Sequence, residues 1–228
     1  MGIIMKKDDL RDERKKHRIE ENKKFILKAA ERVFTLKGYS LSTMDQIAEE
    51  AQFSKVTLYR YFKSKSAIFF EIINKSLDDV YQKMNKILLE RKSADEKLWE
   101  VIHCMSSYYQ QKKNLARTLV LERSLMRKIL NLGPRDQIFP SSEHPRIPAA
   151  FKAKMEDIYN IMSKIINEGI ESGEFKEVDV KDACFVLRAM LRGFHFRGPM
   201  RDRDYNIKES TDLLHSFFLN SIKKDRKA

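Results

Sequence analysis

The stretch STMDQIAEEAQFSKVTLYRYFKSKSAIF, Ser42 to Phe69, holds two helix starts separated by one tight turn. Thr43 can cap a first helix, whose inner face is Met44, Ile47, Ala48 and Ala51. Ser54 can cap a second, with Leu58 and Phe62 one turn apart. Helices this short are marginal alone in water, because nucleation costs more than a few backbone bonds return. They need a neighbour to pack on. The preceding segment supplies one, with Phe25, Ile26, Ala29, Ala30, Val33 and Phe34 at helical spacing and Gly38 just past its end. A three-helix cluster of this size matches the helix–turn–helix unit that inserts its second helix in the DNA major groove.

A wheel of about 100° per residue separates the faces of that reading helix. Leu58 and Phe62 point inward, Val56 and Arg60 almost opposite. Thr57 and Tyr59 flank them, and Lys55 lies at the N-terminal edge. Lys55, Val56, Thr57, Tyr59 and Arg60 therefore form the candidate base-reading face. It offers donors for base edges, methyl groups for thymine, and Arg60 for a bidentate guanine contact. Thr43 and Ser54, at helix N-termini, and Tyr61 and Lys65 beside them are candidate phosphate contacts. Each residue has a plainer reading as a cap, a solvated charge or a packing ring. The coincidence of caps, turn, core stripe and basic-aromatic face in one stretch points to DNA.

At this density of matches the stretch resembles a known family. Thr-Met-x-x-Ile-Ala-x-x-Ala followed by Ser-Lys-x-Thr-Leu-Tyr-x-Tyr-Phe-x-Ser-Lys is similar to the N-terminal domain of the tetracycline-repressor (TetR) family. The helix before it fits as well, through Ala30, Phe34, Gly38 and Tyr39. The resemblance covers about residues 24 to 72 and implies a homodimeric transcription regulator, usually a repressor. It implies base reading by Lys55, Val56, Thr57, Tyr59 and Arg60, and phosphate contacts by Thr43, Tyr61 and Lys65. It also implies a C-terminal domain that binds a small effector and forms the dimer. One position departs: where the family often has Gly in the turn, this chain has Gln52. A left-handed backbone there costs about 1 kcal/mol.

The chain outside that stretch agrees in class. It has 228 residues, 42% of them apolar, with seven Gly and five Pro, which disfavours a turn-rich β fold. Ser64 can cap a fourth helix through Ile68, Ile72, Leu77, Tyr81, Met84 and Leu88. Helical patterns recur at 95–112, 114–131, about 149–172, 179–197 and 208–223, and four of the five Pro fall in a loop at 134–148. The expectation is an all-α chain of about nine helices, with a helix-turn-helix domain at 24–70 and a larger ligand-binding and dimerisation domain at 71–228. Residues 1–23 form a charged arm, with a helical reading near its end and otherwise a solvated, disordered tail, and with a path along phosphates or into a minor groove as the alternative.

Formal net charge is +12, which suits an anionic partner. Half of it falls on residues 1–66, with 16 Lys and Arg against 10 Asp and Glu. The two Cys make neither a disulfide framework nor a zinc spacing. No apolar run is long enough for a membrane span or a signal peptide, so a cytoplasmic protein without a membrane partner is expected.

In the C-terminal part, Ala183, Val186, Leu187, Met190, Leu191 and Phe194 make one apolar stripe, and Leu213, Leu214, Phe217, Phe218 and Ile222 another. Spacing alone allows intramolecular core or dimer interface equally; the resemblance favours an interface built from Val186, Leu187, Met190, Phe194, Leu214, Phe217 and Phe218. Trp99, Met105, Tyr108, Tyr109, Phe151, Met155, Tyr159 and Phe185 can line an apolar effector pocket or be plain core. His103, Cys104 and His195 lack metal-ligand spacing, and no cofactor or catalytic motif is expected. The functional expectation is a DNA-binding repressor released from a palindromic operator by a small, largely apolar effector. A constitutive DNA-binding dimer and, further off, a helical enzyme are the alternatives.

Overall fold

The computed structural model describes residues 7–112, 149–196 and 204–224. The helix expected at 114–131 and the Pro-rich loop at 134–148 lie outside them. Among the described residues there are eight helices: α1 (Lys7–Lys37), α2 (Met44–Glu50), α3 (Lys55–Tyr61), α4 (Lys65–Leu89), α5 (Ala94–Gln111), α6 (Ala149–Glu171), α7 (Val180–Phe196) and α8 (Ile207–Ile222). The chain divides into two compact units, with the boundary at Ile72 and Ile73 within α4. No described helix is long and apolar enough to cross a membrane.

In the first unit, α1 buries Ile26, Leu27, Ala29, Ala30, Val33 and Phe34. Against them lie Ile47 and Ala48 from α2, Leu58 from α3, Phe62 just past it, and Ile68, Phe69 and Phe70 from α4. The inner face of α1 is rotated slightly from the expected one: Phe25 is 65% exposed, and Leu27 is inside instead. Phe34, Tyr39 and Phe69 form a ring cluster with centroids 4.9 to 5.7 Å apart. Full burial of a side chain such as Leu58 contributes about 1.5–3 kcal/mol, and this holds a seven-residue helix that cannot hold itself. Gly38 ends α1 at φ 77°, its N–H donating to the Phe34 carbonyl at 3.0 Å.

The arm, read as helical only near its end and otherwise as a solvated tail, is part of one helix from Lys7 onward. Its sequence explains this. Residues 11–24 are dominated by Arg, Lys and Glu, all good helix formers, without Gly or Pro. Glu20 and Lys23 lie 3.7 Å apart, and His17 and Glu21 3.6 Å, at the spacings that support a helix surface.

The second unit is a helical bundle in which α5 packs on α6, α7 and α8. Its core contains Leu98, Val101 and Ile102 of α5, Ile158, Ile165 and Ile166 of α6, Leu187 and Leu191 of α7, and Leu214 and Phe218 of α8. Gly169 is obligatory in α6, because a Cβ there would come within 2.1 Å of the buried Phe175 ring. The Glu174 carboxylate beside that ring accepts the Ala94 and Asp95 N–H groups, each at 3.1 Å, and so closes the start of α5.

Candidate nucleic-acid interface

The N-terminus of each short helix is locked by a side chain of the predicted type, and each C-terminus by backbone bonds alone. Thr43 Oγ1 accepts the Gln46 N–H at 3.2 Å, and the Gln46 amide oxygen accepts the Thr43 N–H at 3.2 Å. This reciprocal pair satisfies two donors that α2 would otherwise leave orphaned. Ser54 Oγ accepts the Thr57 N–H at 3.1 Å and lies 2.8 Å from Thr57 Oγ1. Ser64 Oγ accepts the Ala67 N–H at 3.1 Å and starts α4. Capping is thus the primary duty of Thr43 and Ser54. Each hydroxyl accepts from its helix, and Thr43 keeps its own hydrogen for an outside acceptor.

The turn between α2 and α3 closes through Phe53 N–H to the Ala48 carbonyl at 2.9 Å. Gln52 has φ 56°, the left-handed conformation expected of it, so this side chain accepts a strain that Gly would avoid.

The outer face of α3 follows the wheel. Val56 is 74% exposed and Tyr59 39%, Arg60 and Lys55 are also exposed, and Thr57 is half-buried. Lys55 Nζ pairs with Asp45 of α2 at 2.8 Å. The hydrogen bond and then the charge of Asp45 hold the Lys55 ammonium above the ordinary lysine range. An exposed pair of this kind is weak and readily exchanged for a phosphate. Tyr61 is half-buried; its hydroxyl oxygen accepts from Asn22 Nδ2 of α1 at 2.8 Å, which fixes the ring and leaves the hydroxyl hydrogen for another acceptor.

Lys65 departs from its expected role. Its ammonium donates to the carbonyls of Tyr39 and Ser42, each at 2.7 Å, and of Ser40 at 3.3 Å, and sits 4.4 Å from the Tyr39 ring centroid. An ammonium has three donors, and three carbonyls take them. Lys65 is a latch on the loop between α1 and α2, not a side chain reaching for a phosphate. Neither this latch nor Asn22 was foreseen, because both depend on separations of 23 to 39 residues.

The two residue sets proposed for the second unit divide differently from expectation. Of the interface set, Leu187, Leu214 and Phe218 are buried within the single chain, because their helices close on α5 and on each other. Val186 and Phe217 are exposed at 46% and 66%, while Met190 and Phe194 are half-buried. Of the pocket set, Phe185 is 63% exposed and stands beside Val186 on the outer side of α7. Met105 and Phe151 are core. Trp99 stacks on His103 at 5.0 Å and donates its indole N–H to Asp212 of α8 at 2.8 Å. Tyr109 stacks on His195 at 5.5 Å, and Tyr108 contacts Tyr109. Tyr159 lies under the Arg188 guanidinium at 5.6 Å, and Met155 is half-buried. These contacts are separate pairs on the seams of α5 with α8, α5 with α7, and α6 with α7, and Phe185 takes part in none of them.

Comparison with known proteins agrees with this geometry. Residues 26–72 match the family model of bacterial regulatory proteins, tetR family, and residues 141–223 match the QacR-like protein, C-terminal region. The chain is 31% identical over 198 residues to the fatty acid metabolism regulator protein of Bacillus subtilis, covering 86% of this chain and 93% of that one. It is 30% identical over 208 residues to the HTH-type transcriptional regulator QacR of Staphylococcus aureus, covering 87% and 97%. Among solved structures, the regulator FadR from Bacillus subtilis in complex with stearoyl-CoA is similar at TM-score 0.67 and 25% identity, over 87% of this chain and 98% of that one.

Proposed function

Because the chain belongs to the TetR family of bacterial regulatory proteins, DNA-binding transcriptional regulators, we propose that it is a homodimeric repressor, released from a palindromic operator by a fatty acyl-CoA. The observation that carries the reading is the outer face of α3: Val56, Tyr59 and Arg60 stand exposed around a buried Leu58, on a helix capped at its start and closed at Phe62. Such a helix presents its donors in fixed directions, which direct base reading requires. Arg60 takes a guanine edge, Val56 and the Thr57 methyl meet thymine methyls, and Tyr59 packs beside them. Thr43 and Tyr61 donate their remaining hydroxyl hydrogens to phosphates, Ser54 does the same with Thr57 supplying the hydrogen of their shared bond, and Lys55 exchanges Asp45 for a phosphate.

The exposed apolar side chains of α7 and α8 set the dimer. Phe185 and Val186 on α7 and Phe217 on α8 leave large apolar area in water unless covered. A self-complementary interface there, with Met190 and Phe194 at its margin, gives a two-fold dimer. Two reading helices about 34 Å apart then meet successive major grooves and demand a palindromic site.

The effector reading is supported by the Bacillus subtilis relative, which carries stearoyl-CoA in its solved structure. Charge supports it as well. Residues 67–228 hold the other half of the +12 net charge, and a CoA ester presents several phosphate charges at the end of an apolar chain. A coupling of about 1–3 kcal/mol between the two ligands lowers operator affinity about 5- to 150-fold.

The test is fluorescence anisotropy with a labelled palindrome from the DNA upstream of the gene. The full chain is expected to bind it at least about a thousandfold more tightly than a scrambled duplex. Long-chain acyl-CoA is expected to release it, and free CoA is not. Equal binding to both duplexes removes the regulator reading; selective binding that no acyl-CoA disturbs removes only the effector.

A further inference from the structure

The N-terminal part of α1 precedes the residues that the family model matches, which begin at 26. At about 100° per residue, Arg11, Lys15 and Arg18 fall within about 60° of Asn22 on the helix surface, with Arg14 at the edge of the same face. Glu13 and Glu20 point almost directly away. Position 8, an Asp, falls on the same face and Asp12 at its other edge, so the face sets these four cations against two acids while the opposite side is net acidic; over residues 7–24 as a whole, 8 Lys and Arg against 6 Asp and Glu give a small net charge. Asn22 gives the stripe a direction. Its side chain donates to the Tyr61 hydroxyl at 2.8 Å, at the last residue of the reading helix. Arg11, Arg14, Lys15 and Arg18 are all exposed, and no ion pair takes them up among the described residues. The acids Glu20 and Glu21 instead face Lys23 and His17.

We propose that this stripe is a second DNA-binding element, which lies along the phosphates flanking each half-site. The inference rests on the reading of α3 above and extends it to DNA that α3 does not touch. Arg11 and Arg18 are about 10 Å apart along the axis at 1.5 Å per residue. Duplex DNA presents one charge per about 1.7 Å of its own axis, so the stripe meets several phosphates at once. A continuous helix also holds these cations in place without the ordering cost that a disordered basic tail incurs. The occupant is the sugar–phosphate backbone, so the contribution is to affinity and salt dependence, with no base preference.

The test compares two full-chain triple variants of equal charge. R11Q/K15Q/R18Q removes the stripe; K16Q/K23Q/K24Q removes three cations from the rest of the surface. Gln keeps helix propensity, and circular dichroism verifies that each variant folds. Binding is measured against salt on an operator with about ten flanking base pairs on each side and on one trimmed to the half-sites. For the stripe variant on the long duplex, the slope of log affinity against log salt is expected to fall by about 0.9 per lost phosphate contact, or roughly 5 for a dimer. The other variant is expected to stay near wild type, and trimming is expected to remove most of the difference. Equal losses for both variants, or an unchanged slope for the stripe variant, overturn the proposal. If the wild-type chain fails to prefer the operator at all, the reading of α3 fails instead, so the two failures are distinguishable.

Discussion

The two compact units cap their helices alike but differ in where most of their longer polar ties run: in the first they fix the loop and the end of α3, in the second they join the helices of the bundle. In the first, the helix-end bonds are local: Thr43, Ser54 and Ser64 each bond a backbone three residues on, and the outward face of α3 is left for a partner. In the second, polar groups tie distant helices together. Lys97 of α5 reaches Glu168 of α6 at 2.8 Å, Trp99 reaches Asp212, and Gln110 donates to the Tyr205 carbonyl at 3.0 Å. His215 of α8 lies 2.8 Å from Asp95. Asp212 is held below the ordinary carboxylate range by Lys208 and then by the Trp99 N–H. The local arrangement suits a rigid reading head. The long-range arrangement suits a domain that changes helix packing when a ligand enters, because each inter-helix bond can be exchanged.

The contrast makes the units separable by substitution. The largest effect is expected from Gly169→Ala, which drives a methyl into the Phe175 ring. Overpacking of this kind costs about 3 kcal/mol and lowers the melting temperature by roughly 6–12 °C. The double variant with Phe175→Leu is expected to recover part of that loss in a thermal melt. Next, Arg60→Ala is expected to weaken operator binding about 5- to 150-fold with the melt unmoved. Lys97→Met leaves the Leu88 carbonyl and Glu168 without their ammonium partner. It is expected to cost about 2 kcal/mol in chemical denaturation and to shift acyl-CoA binding more than operator binding. Gln52→Gly is the smallest change: relief of the left-handed strain is expected to raise stability by about 0.5–1 kcal/mol. A Gln52→Gly protein that melts lower would show that the turn geometry depends on the side chain.

Legibility in the sequence followed the same division. Caps, the C′ glycine and the turn are short-range chemistry, so Thr43, Ser54, Ser64, Gly38 and Gln52 stand as read. The helical spans of the second unit were equally readable, since α6, α7 and α8 depart by at most one residue from 149–172, 179–197 and 208–223. Which face of each helix turns inward was not. Spacing puts Leu187 and Phe217 on apolar stripes alike, and only the packing of α5 against α7 and α8 buries one and leaves the other outside. Lys65 failed for a related reason: a lysine beside a reading helix looks like a phosphate contact until the loop carbonyls that hold it are placed in space. The arm's helix reaches further toward the N-terminus than its charge alone suggests, because Arg, Lys and Glu are good helix formers.

The claim on which the rest depends is that α3 lies in the major groove with Arg60 against guanine. Methylation protection at guanine N7, a major-groove atom, tests it directly on the operator. With wild-type protein, guanines in both half-sites should be shielded about one helical turn apart, and Arg60→Ala should unshield one guanine in each. Guanines that react as freely in the complex as in bare DNA, or protection unchanged in Arg60→Ala, would contradict the account.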